Sequence, residues 1–370
     1  MEPRDLSKHV AYQAGRGVEE VARELGLDPE ELVKLSSNEN PLGPSPGAIE
    51  AIRTHASGVH EYPKSVHVDL QVALADRWNV DPDQVWLSAG GDGAIDYLSR
   101  TALDPGDSIL VPTPGFAYYG MSAHYHHGEV AEYPIEVDED LGADAILDAY
   151  DGERIVYVTS PHNPTGSEMP VDGIRLVAEE TDEETLAVVD EAYGEFSNRP
   201  SAASVLDDRD DVAIVRTFSK AYGLAGLRLG YALVPEAWAD AYARVNTPFA
   251  ASSLACRAGL AALDDEEHVE QSVHIARWAR QFMQDALSAP TADSGGNFVL
   301  VDVSGVDTGD ADEQAETAGA GTTVARELRE RGIIIRDCTS FGLPDHIRIT
   351  CGTEHETRRA VESLNEVLDA

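Results

Sequence analysis

The chain has 370 residues, 42% of them apolar, which is enough for a sizeable core and excludes an intrinsically disordered protein. Asp and Glu number 67 against 27 Lys and Arg, which gives a formal net charge of −40. Because the acids are spread along the whole chain, we interpret them as an adaptation to high salt; the alternative, a basic partner, would predict a localised acidic patch. Nucleic acid is excluded as a partner, since phosphate binding needs positive charge.

The N-terminal residues are charged throughout and lack the apolar centre of a signal peptide, and no apolar run approaches the length of a membrane span. We therefore expect a soluble, cytoplasmic protein that makes no membrane contact. The cysteines Cys256, Cys338 and Cys351 are odd in number and widely spaced, so the sequence predicts buried, reduced thiols and no disulfide framework. No spacing of cysteines or histidines predicts a metal site.

The length predicts two domains. Residues 1–40 are predicted to form an arm and one helix, residues 18–25, that pack with the smaller domain. A loop rich in turn formers, residues 36–44, and a helix at 68–78 follow. From there short β-branched runs alternate with helices, which predicts an α/β fold with a mostly parallel sheet covered on both faces. The predicted strands are residues 85–89, 108–112, 155–159, 186–190, 213–218 and 229–234, with helices at 94–103 and 172–180.

The pattern changes near residue 250, so we assign residues 41–249 to the large domain and residues 250–370 to a smaller α/β domain. The smaller domain is predicted to contain helices at 252–263, 268–287, 324–331 and 354–368 and a strand at 298–302. Residues 304–323 are rich in Gly, Asp, Glu, Ala and Thr, which predicts an acidic surface loop.

Lys220 stands in a mostly apolar stretch of a chain that has only four lysines, so its presence calls for a chemical reason. An amine in apolar surroundings is readily uncharged and nucleophilic, as a lysine that forms a Schiff base must be. Ser219 beside it and Arg228 eight residues later could both bind a phosphate. A lysine after a strand is about as often an ordinary exposed one, so this motif alone does not decide the function.

Three further loops follow predicted strands, where α/β sheets bind their ligands. Residues 89–94 contain three glycines before a helix, which would let backbone N–H groups approach a phosphate. Asn163 lies in a Ser-Pro-His-Asn-Pro-Thr-Gly stretch that could also be an ordinary turn. Asp190 and Tyr193 lie in an Asp-Glu-Ala-Tyr stretch, where the acid could equally cap a helix.

With these four loops in this order, the whole chain resembles the fold type I aminotransferases that use pyridoxal 5'-phosphate (PLP), and within them it is most similar to the histidinol-phosphate aminotransferase subfamily. The resemblance implies a seven-stranded sheet sandwiched by helices in the large domain, and PLP as the cofactor. Together with the acidic composition, it implies a source among the halophilic archaea. The Asp-x-x-Tyr stretch suits this cofactor, since an acid beside the pyridine nitrogen keeps that nitrogen protonated and lets the ring accept electrons.

The resemblance also implies roles for individual residues. Lys220 matches the Schiff-base lysine and proton carrier, Asp190 the partner of the pyridine nitrogen, and Tyr193 with Asn163 the pair that bonds the ring 3-oxygen. Phe116 matches the aromatic that stacks on the ring; its alternative is simple core packing. The cofactor phosphate is expected on the N–H groups of Gly91 and Asp92, with Thr217, Ser219, Arg228 and Tyr62, the last from the partner subunit of a homodimer.

Arg336 and Arg348 each follow isoleucines on predicted strands, which a solvated charge would not explain. Matched to the subfamily, they bind the phosphate of histidinol phosphate and the carboxylate of glutamate or 2-oxoglutarate, and a guanidinium suits either anion. Asn40 lies in a loop, residues 38–43, that matches the subfamily and is expected to cover the site.

Two alternatives stay open. The first is another enzyme on the same scaffold, an aromatic aminotransferase or an amino-acid-phosphate decarboxylase. The second is a PLP-binding regulatory module without turnover, which the intact lysine, aspartate and Asn–Tyr pair argue against. The expected reaction is a transamination between histidinol phosphate and 2-oxoglutarate that yields imidazole-acetol phosphate and glutamate, run in reverse during histidine biosynthesis.

Overall fold

A computed structural model describes residues 5–9, 17–64, 67–306 and 319–369 of the chain. The described strands are β1 (Val33–Leu35), β2 (Val85–Ser88), β3 (Ser108–Thr113), β4 (Glu129–Pro134), β5 (Ile155–Thr159), β6 (Leu186–Asp190), β7 (Val212–Thr217), β8 (Gly230–Leu233), β9 (Phe298–Asp302), β10 (Ile333–Asp337) and β11 (His346–Thr350). The described α-helices are α1 (Val18–Leu25), α2 (Pro46–His55), α3 (Val68–Trp78), α4 (Gly90–Ala102), α5 (Tyr118–Tyr125), α6 (Ala143–Ala149), α7 (Val171–Glu180), α8 (Tyr242–Val245), α9 (Ser253–Leu263), α10 (Glu266–Ala286), α11 (Ala320–Glu330) and α12 (Glu354–Leu368).

The large sheet has seven strands in the order β2-β8-β7-β6-β5-β3-β4. Strand β8 runs antiparallel to both of its neighbours, and the other pairings are parallel. Every residue of β5 and of β6 is buried, because parallel strands are covered on both faces. Because β3, β5, β6 and β7 run parallel to one another, their carboxyl ends lie at the same edge of the sheet, where ligands of such folds bind.

Alternate residues of the central strands enter two different cores. Val156 and Val158 of β5 belong to one apolar cluster, whereas Ile155 and Tyr157 belong to a second cluster across the sheet. The period of two follows from the pleat, which points successive side chains to opposite faces. Helices cover both faces, so the predicted α/β fold class with a mostly parallel, seven-stranded sheet is confirmed.

The second sheet has four strands in the order β1-β10-β11-β9. Strand β1, from the N-terminal part of the chain, pairs in parallel with β10, and β11 runs antiparallel to β10 and β9. This sheet forms a third apolar cluster with α10, α11 and α12, which includes Val299, Val324 and Leu364. The N-terminal segment is thus held by backbone hydrogen bonds to a strand about 300 residues later in the sequence.

Several predicted boundaries differ from the observed ones. Helix α4 begins at Gly90 rather than at residue 94, since its first turn consists of glycines and an aspartate that are also common in turns. Helix α11 begins at Ala320, so the end of the predicted acidic loop, residues 304–323, is helical; residues 307–318 of that loop lie outside the described residues. The predicted arm likewise includes residues 1–4 and 10–16, which are not described.

The three cysteines are buried and free of disulfides, as predicted. Burial raises the pKa of each of these thiols to about 12, so they stay protonated. Within the described ranges, none of the helices combines the length and the apolar character needed to cross a bilayer.

Candidate active site

The residues predicted to bind the cofactor come together at the carboxyl edge of the large sheet. Asp190 is the last residue of β6, Asn163 follows β5, and Lys220 follows β7 after only two residues. Phe116 follows β3, and Gly91 lies in the first turn of α4, directly after β2. Each of these positions is fixed by a strand end, which accounts for their convergence from distant parts of the sequence.

Asp190 is 6% exposed and carries a hydrogen bond on each carboxylate oxygen. The Tyr119 hydroxyl donates to Oδ2 at 2.7 Å, and the backbone N–H of Ala192 donates to Oδ1 at 2.9 Å. Burial raises the pKa of Asp190 to about 6, although both hydrogen bonds oppose the shift. Among the described residues, no cationic side chain bonds this carboxylate, so the site offers a buried negative charge to a cation.

Lys220 is half-buried beside Tyr193. Its Nζ lies 5.5 Å from the centre of the Tyr193 ring and donates a hydrogen bond of 3.3 Å to the backbone oxygen of Ser37. The Tyr193 hydroxyl accepts a hydrogen bond of 2.9 Å from the side-chain amide of Asn38. The amine, the phenol and the segment before α2 therefore meet in one place.

The predicted phosphate residues surround the N-terminus of α4. The first backbone N–H groups of a helix lack intrahelical partners, and the helix dipole favours an anion there. Arg228 donates to Ser219 Oγ at 3.3 Å and to Asp92 Oδ2 at 2.9 Å. Gly90 has a φ of +78°, and a Cβ added to it would lie 2.3 Å from a guanidinium nitrogen of Arg228, so only glycine allows this approach.

Thr217, at the end of β7, is another of the predicted phosphate residues. Its Oγ1 accepts a hydrogen bond of 3.1 Å from the backbone N–H of Ser219 and donates one of 3.4 Å to the backbone oxygen of Leu229. The turn that leads from β7 to Lys220 is therefore fixed by hydrogen bonds of the Thr217 side chain.

Arg336 and Arg348 are direct partners in the register of β10 and β11. Arg348 is 5% exposed; its guanidinium donates to the side-chain oxygen of Asn163 and, at 3.0 Å, to the backbone oxygen of Ser36. Arg336 donates to Ser340 Oγ at 2.9 Å. The two arginines thus extend the site from the large sheet to the small one, and they place positive charge there in a chain of strongly negative net charge.

The other three predicted residues are Phe116, Asn40 and Tyr62. The Phe116 ring is half-buried and meets the Tyr119 ring edge-on, with 5.5 Å between centres. The Asn40 amide donates to the backbone oxygen of Ala221 and to Ser272 Oγ, both at 2.8 Å, so it anchors its loop next to Lys220. Tyr62 is 85% exposed and packs against Phe249, with 5.1 Å between ring centres.

Sequence reasoning missed two residues that contact the site. Tyr119 bonds Asp190, and its position three residues after Phe116, on the buried side of α5, could have indicated it. Asn38 reaches Tyr193, while its backbone N–H and side-chain oxygen both bond the Thr350 hydroxyl. No local signal separates Asn38 from Asn40 in the sequence, since both occur in the same polar loop.

The sequence of the chain is similar to a known protein family and to enzymes of halophilic archaea. The model of the family "Aminotransferase class I and II" matches residues 30–364. The histidinol-phosphate aminotransferases of Haloarcula marismortui and Natronomonas pharaonis are each 64% identical to the chain, over all of it and over 99% and 100% of their own lengths. Such relatives agree with the interpretation of the acidic composition as a halophilic adaptation.

Solved structures agree with the sequence relatives. The histidinol-phosphate aminotransferase of Sinorhizobium meliloti in complex with pyridoxal-5'-phosphate superimposes with a TM-score of 0.83 at 27% identity, over 96% of this chain and 95% of that one. An aspartate aminotransferase from Thermus thermophilus with maleate gives 0.79 at 25% identity, over 96% and 97% of the two chains. The chain therefore belongs to the class I and II aminotransferases, and within them to the histidinol-phosphate aminotransferase family.

Proposed function

We propose that this enzyme is a PLP-dependent aminotransferase that exchanges the amino group of histidinol phosphate with the keto group of 2-oxoglutarate, yielding imidazole-acetol phosphate and glutamate. The observation that carries the proposal is the pair Arg336 and Arg348, which lie opposite each other in the small sheet, with Arg348 bonded to Asn163. Two guanidinium groups at the edge of the cofactor residues suit a substrate that presents a phosphate or a second carboxylate.

The residues at the sheet edge fit PLP. Asp190 is a buried carboxylate without a cationic partner among the described residues, and a protonated pyridine nitrogen would supply that charge. Gly91, Asp92, Thr217, Ser219 and Arg228 would hold the phosphate at the N-terminus of α4. Tyr193 and Asn163 would bond the ring oxygen, and the Phe116 ring would cover one face.

When bound, PLP supplies an aldehyde that takes up the substrate amine and a ring that accepts electrons. The chain's own residues do the rest. The Lys220 Nζ would hold the cofactor and then accept the proton from the substrate Cα, because it lies next to the Tyr193 ring, among the residues that fit the cofactor. Arg348 is fixed by the backbone oxygen of Ser36, so it can orient the substrate anion without first being ordered.

We also propose that the enzyme works as a homodimer in which Tyr62 reaches the phosphate of the partner subunit. The exposed rings of Tyr62 and Phe249 pack on each other, with 5.1 Å between centres, and Val59 and Val68, near Tyr62 in the sequence, are 67% and 55% exposed. Exposed apolar surface of this kind is typical of an interface between protein subunits. A cytoplasmic location and the division at residues 41 and 250 stay predictions.

The test is a steady-state comparison of histidinol phosphate with its dephosphorylated form, each with 2-oxoglutarate in molar KCl. Arg336→Met should lower kcat/KM for histidinol phosphate by about 10- to 150-fold, the worth of a charged hydrogen bond, because the phosphate loses one partner. The same variant should leave the dephosphorylated substrate nearly unchanged, which makes that substrate the matched control. An equal loss on both substrates would contradict phosphate recognition by Arg336.

Two further substrates separate the alternatives on the same scaffold. Release of carbon dioxide from an amino-acid phosphate would indicate a decarboxylase. A higher kcat/KM for phenylalanine than for histidinol phosphate would indicate an aromatic aminotransferase, and either result would refute the proposed substrate.

A further inference from the structure

Tyr119 is a buried phenol that no role assigned above explains. It is 1% exposed, near the start of α5, and its ring stacks on the Tyr157 ring with 4.3 Å between centres and 19° between planes. The Phe116 ring meets it edge-on, with 5.5 Å between centres. Because aromatic neighbours hold the ring in place, the direction of its hydroxyl is set by the fold.

That hydroxyl lies between two groups of the sheet edge. It donates to Asp190 Oδ2 at 2.7 Å, and 2.9 Å separates it from Thr159 Oγ1. A phenol has one hydrogen to give, so the Thr159 hydroxyl is the donor in the second bond. Burial, and after it the charge of Asp190, raises the pKa of Tyr119 well above its usual range, so the phenol stays neutral and keeps donating.

We propose that Tyr119 is a positioning residue whose hydroxyl keeps Asp190 ionised and fixed in direction, so that this hydrogen bond sets how far into acid the enzyme can bind its cofactor. The inference deepens the proposed function and rests on it in one respect, since it takes the cation that Asp190 receives to be the pyridinium of PLP. Tyr119 does not touch the reacting atoms and acts only through Asp190.

The charges around Asp190 explain why one hydrogen bond matters. Asp92 at the start of α4 and Glu191 next in the chain are both acidic, and each raises the pKa of Asp190 in addition to the effect of burial. Tyr157, from β5, is buried nearby and neutral. The Tyr119 hydroxyl and the Ala192 backbone N–H act against these influences, and the effect of the Tyr119 hydroxyl is the larger of the two.

The protonation state of Asp190 changes with pH within the range in which the enzyme can be studied. The pKa of Asp190 is about 6, so in the protein without cofactor the carboxylate is ionised at neutral pH and becomes protonated below that value. A protonated Asp190 must lose its proton before it can pair with a cation, so cofactor affinity falls as pH falls through the midpoint. Without the Tyr119 hydroxyl the midpoint should rise by about one to two pH units, as expected for the loss of a hydrogen bond to a charged group.

The chain offers a matched control. Tyr119→Phe removes the hydroxyl and keeps the ring, whereas Tyr157→Phe removes a hydroxyl from the ring stacked on it, which makes no hydrogen bond to Asp190. Thr159→Val is a second variant, since it removes the hydroxyl that donates to the Tyr119 oxygen and leaves Tyr119 in place. It should move the midpoint in the same direction by a smaller amount.

The measurement is the dissociation constant of PLP from each variant between about pH 5 and 8 in molar KCl, by tryptophan fluorescence, with thermal unfolding as the check on folding. The ratio of the Tyr119→Phe constant to the wild-type constant should widen by about tenfold per pH unit between the two midpoints, while Tyr157→Phe follows the wild type. A ratio that is constant with pH, or an equal shift in Tyr157→Phe, would overturn the inference. If Tyr119→Phe does not fold, Thr159→Val decides, and an unmoved midpoint in that variant overturns the inference as well.

These results are independent of the substrate. A wild-type protein that binds PLP but rejects histidinol phosphate would refute the proposed substrate and leave the role of Tyr119 standing. A wild-type protein that does not bind PLP would refute the proposed function, and the role of Tyr119 with it.

Discussion

Replacing Arg216 with methionine tests how the fold holds the turn that carries Asp190 and Tyr193. Arg216, on β7, is 3% exposed and donates to the carboxylates of Glu191 and Glu195, the second at 2.6 Å. Burial alone would lower the pKa of this guanidinium, but the two carboxylates outweigh it and keep the pKa well above its usual range. These two glutamates flank Tyr193 in sequence, so Arg216 holds the turn that carries Tyr193 through an ion pair on each side of it.

The loss of stability expected for Arg216→Met follows from the burial of its two ion pairs. The side chains of Arg216, Glu191 and Glu195 are only 4–6% exposed, so methionine would leave two carboxylates buried without their cation. Removing one partner of a buried ion pair costs about 3–5 kcal/mol, and the contact of Arg216 with the Trp78 ring, 4.4 Å from its centre, is lost as well. We expect Arg216→Met to lower the free energy of unfolding by about 3–5 kcal/mol.

The assay is urea unfolding in molar KCl, followed by tryptophan fluorescence. Arg175→Met is the matched control, because Arg175 also bonds a carboxylate, that of Asp208 at 2.9 Å, but at the surface. Breaking an exposed pair of this kind costs about 0.2–1 kcal/mol. Equal losses in the two variants, or a loss below about 1 kcal/mol for Arg216→Met, would refute the reasoning from burial.

Three more predictions concern the cofactor. Lys220→Ala should lose transamination, and borohydride reduction should no longer attach PLP covalently to the protein. In the wild-type protein, peptide mapping after reduction should find PLP on Lys220 and not on Lys8, Lys34 or Lys64. Gly90→Ala should weaken PLP binding at least about tenfold in a fluorescence titration, because the added Cβ would displace the Arg228 guanidinium. Gly106→Ala is the control, since Gly106 also has a positive φ but has open space around it. This control should lower the free energy of unfolding by about 1 kcal/mol and leave PLP binding unchanged. Mixing Lys220→Ala subunits with Tyr62→Ala subunits should restore about a quarter of wild-type activity. Half of the dimers are then mixed, and in each of these one site combines an intact Lys220 with the intact Tyr62 of the other subunit. No recovery after confirmed subunit exchange would mean that Tyr62 acts within its own subunit.

The central strands could be predicted from the sequence because their burial leaves a strong pattern. Strands β5 and β6 begin and end at the predicted residues, since both faces are covered and the apolar runs are continuous. Asp190 and Lys220 could be placed in advance because Asp190 ends such a strand and Lys220 stands three residues after the end of another, β7. The arginines of β10 and β11 were detectable for the same reason, as charges within isoleucine-rich strands.

Other features left no such signal. Strand β1 has three residues and is defined by its pairing with β10, which no local pattern encodes. The hydrogen bond from Tyr119 to Asp190 joins residues 71 positions apart, so propensity and periodicity could not reveal it. The start of α4 was placed four residues late because its glycines are poor helix formers, and their use there depends on the approach of Arg228.

The pairing of the N-terminal segment with the last strands has a consequence for synthesis on the ribosome. The backbone N–H of Asn38 and the guanidinium of Arg348 each make a hydrogen bond across 312 positions of the chain, and Val33 of β1 pairs with Ile333 of β10. Lys220 thus emerges well before the pocket around it can close. Contacts this distant form slowly, so newly made polypeptide should become competent for turnover only after β10 and β11 have emerged, and a truncation before residue 350 should lack activity even where the seven-stranded sheet has assembled.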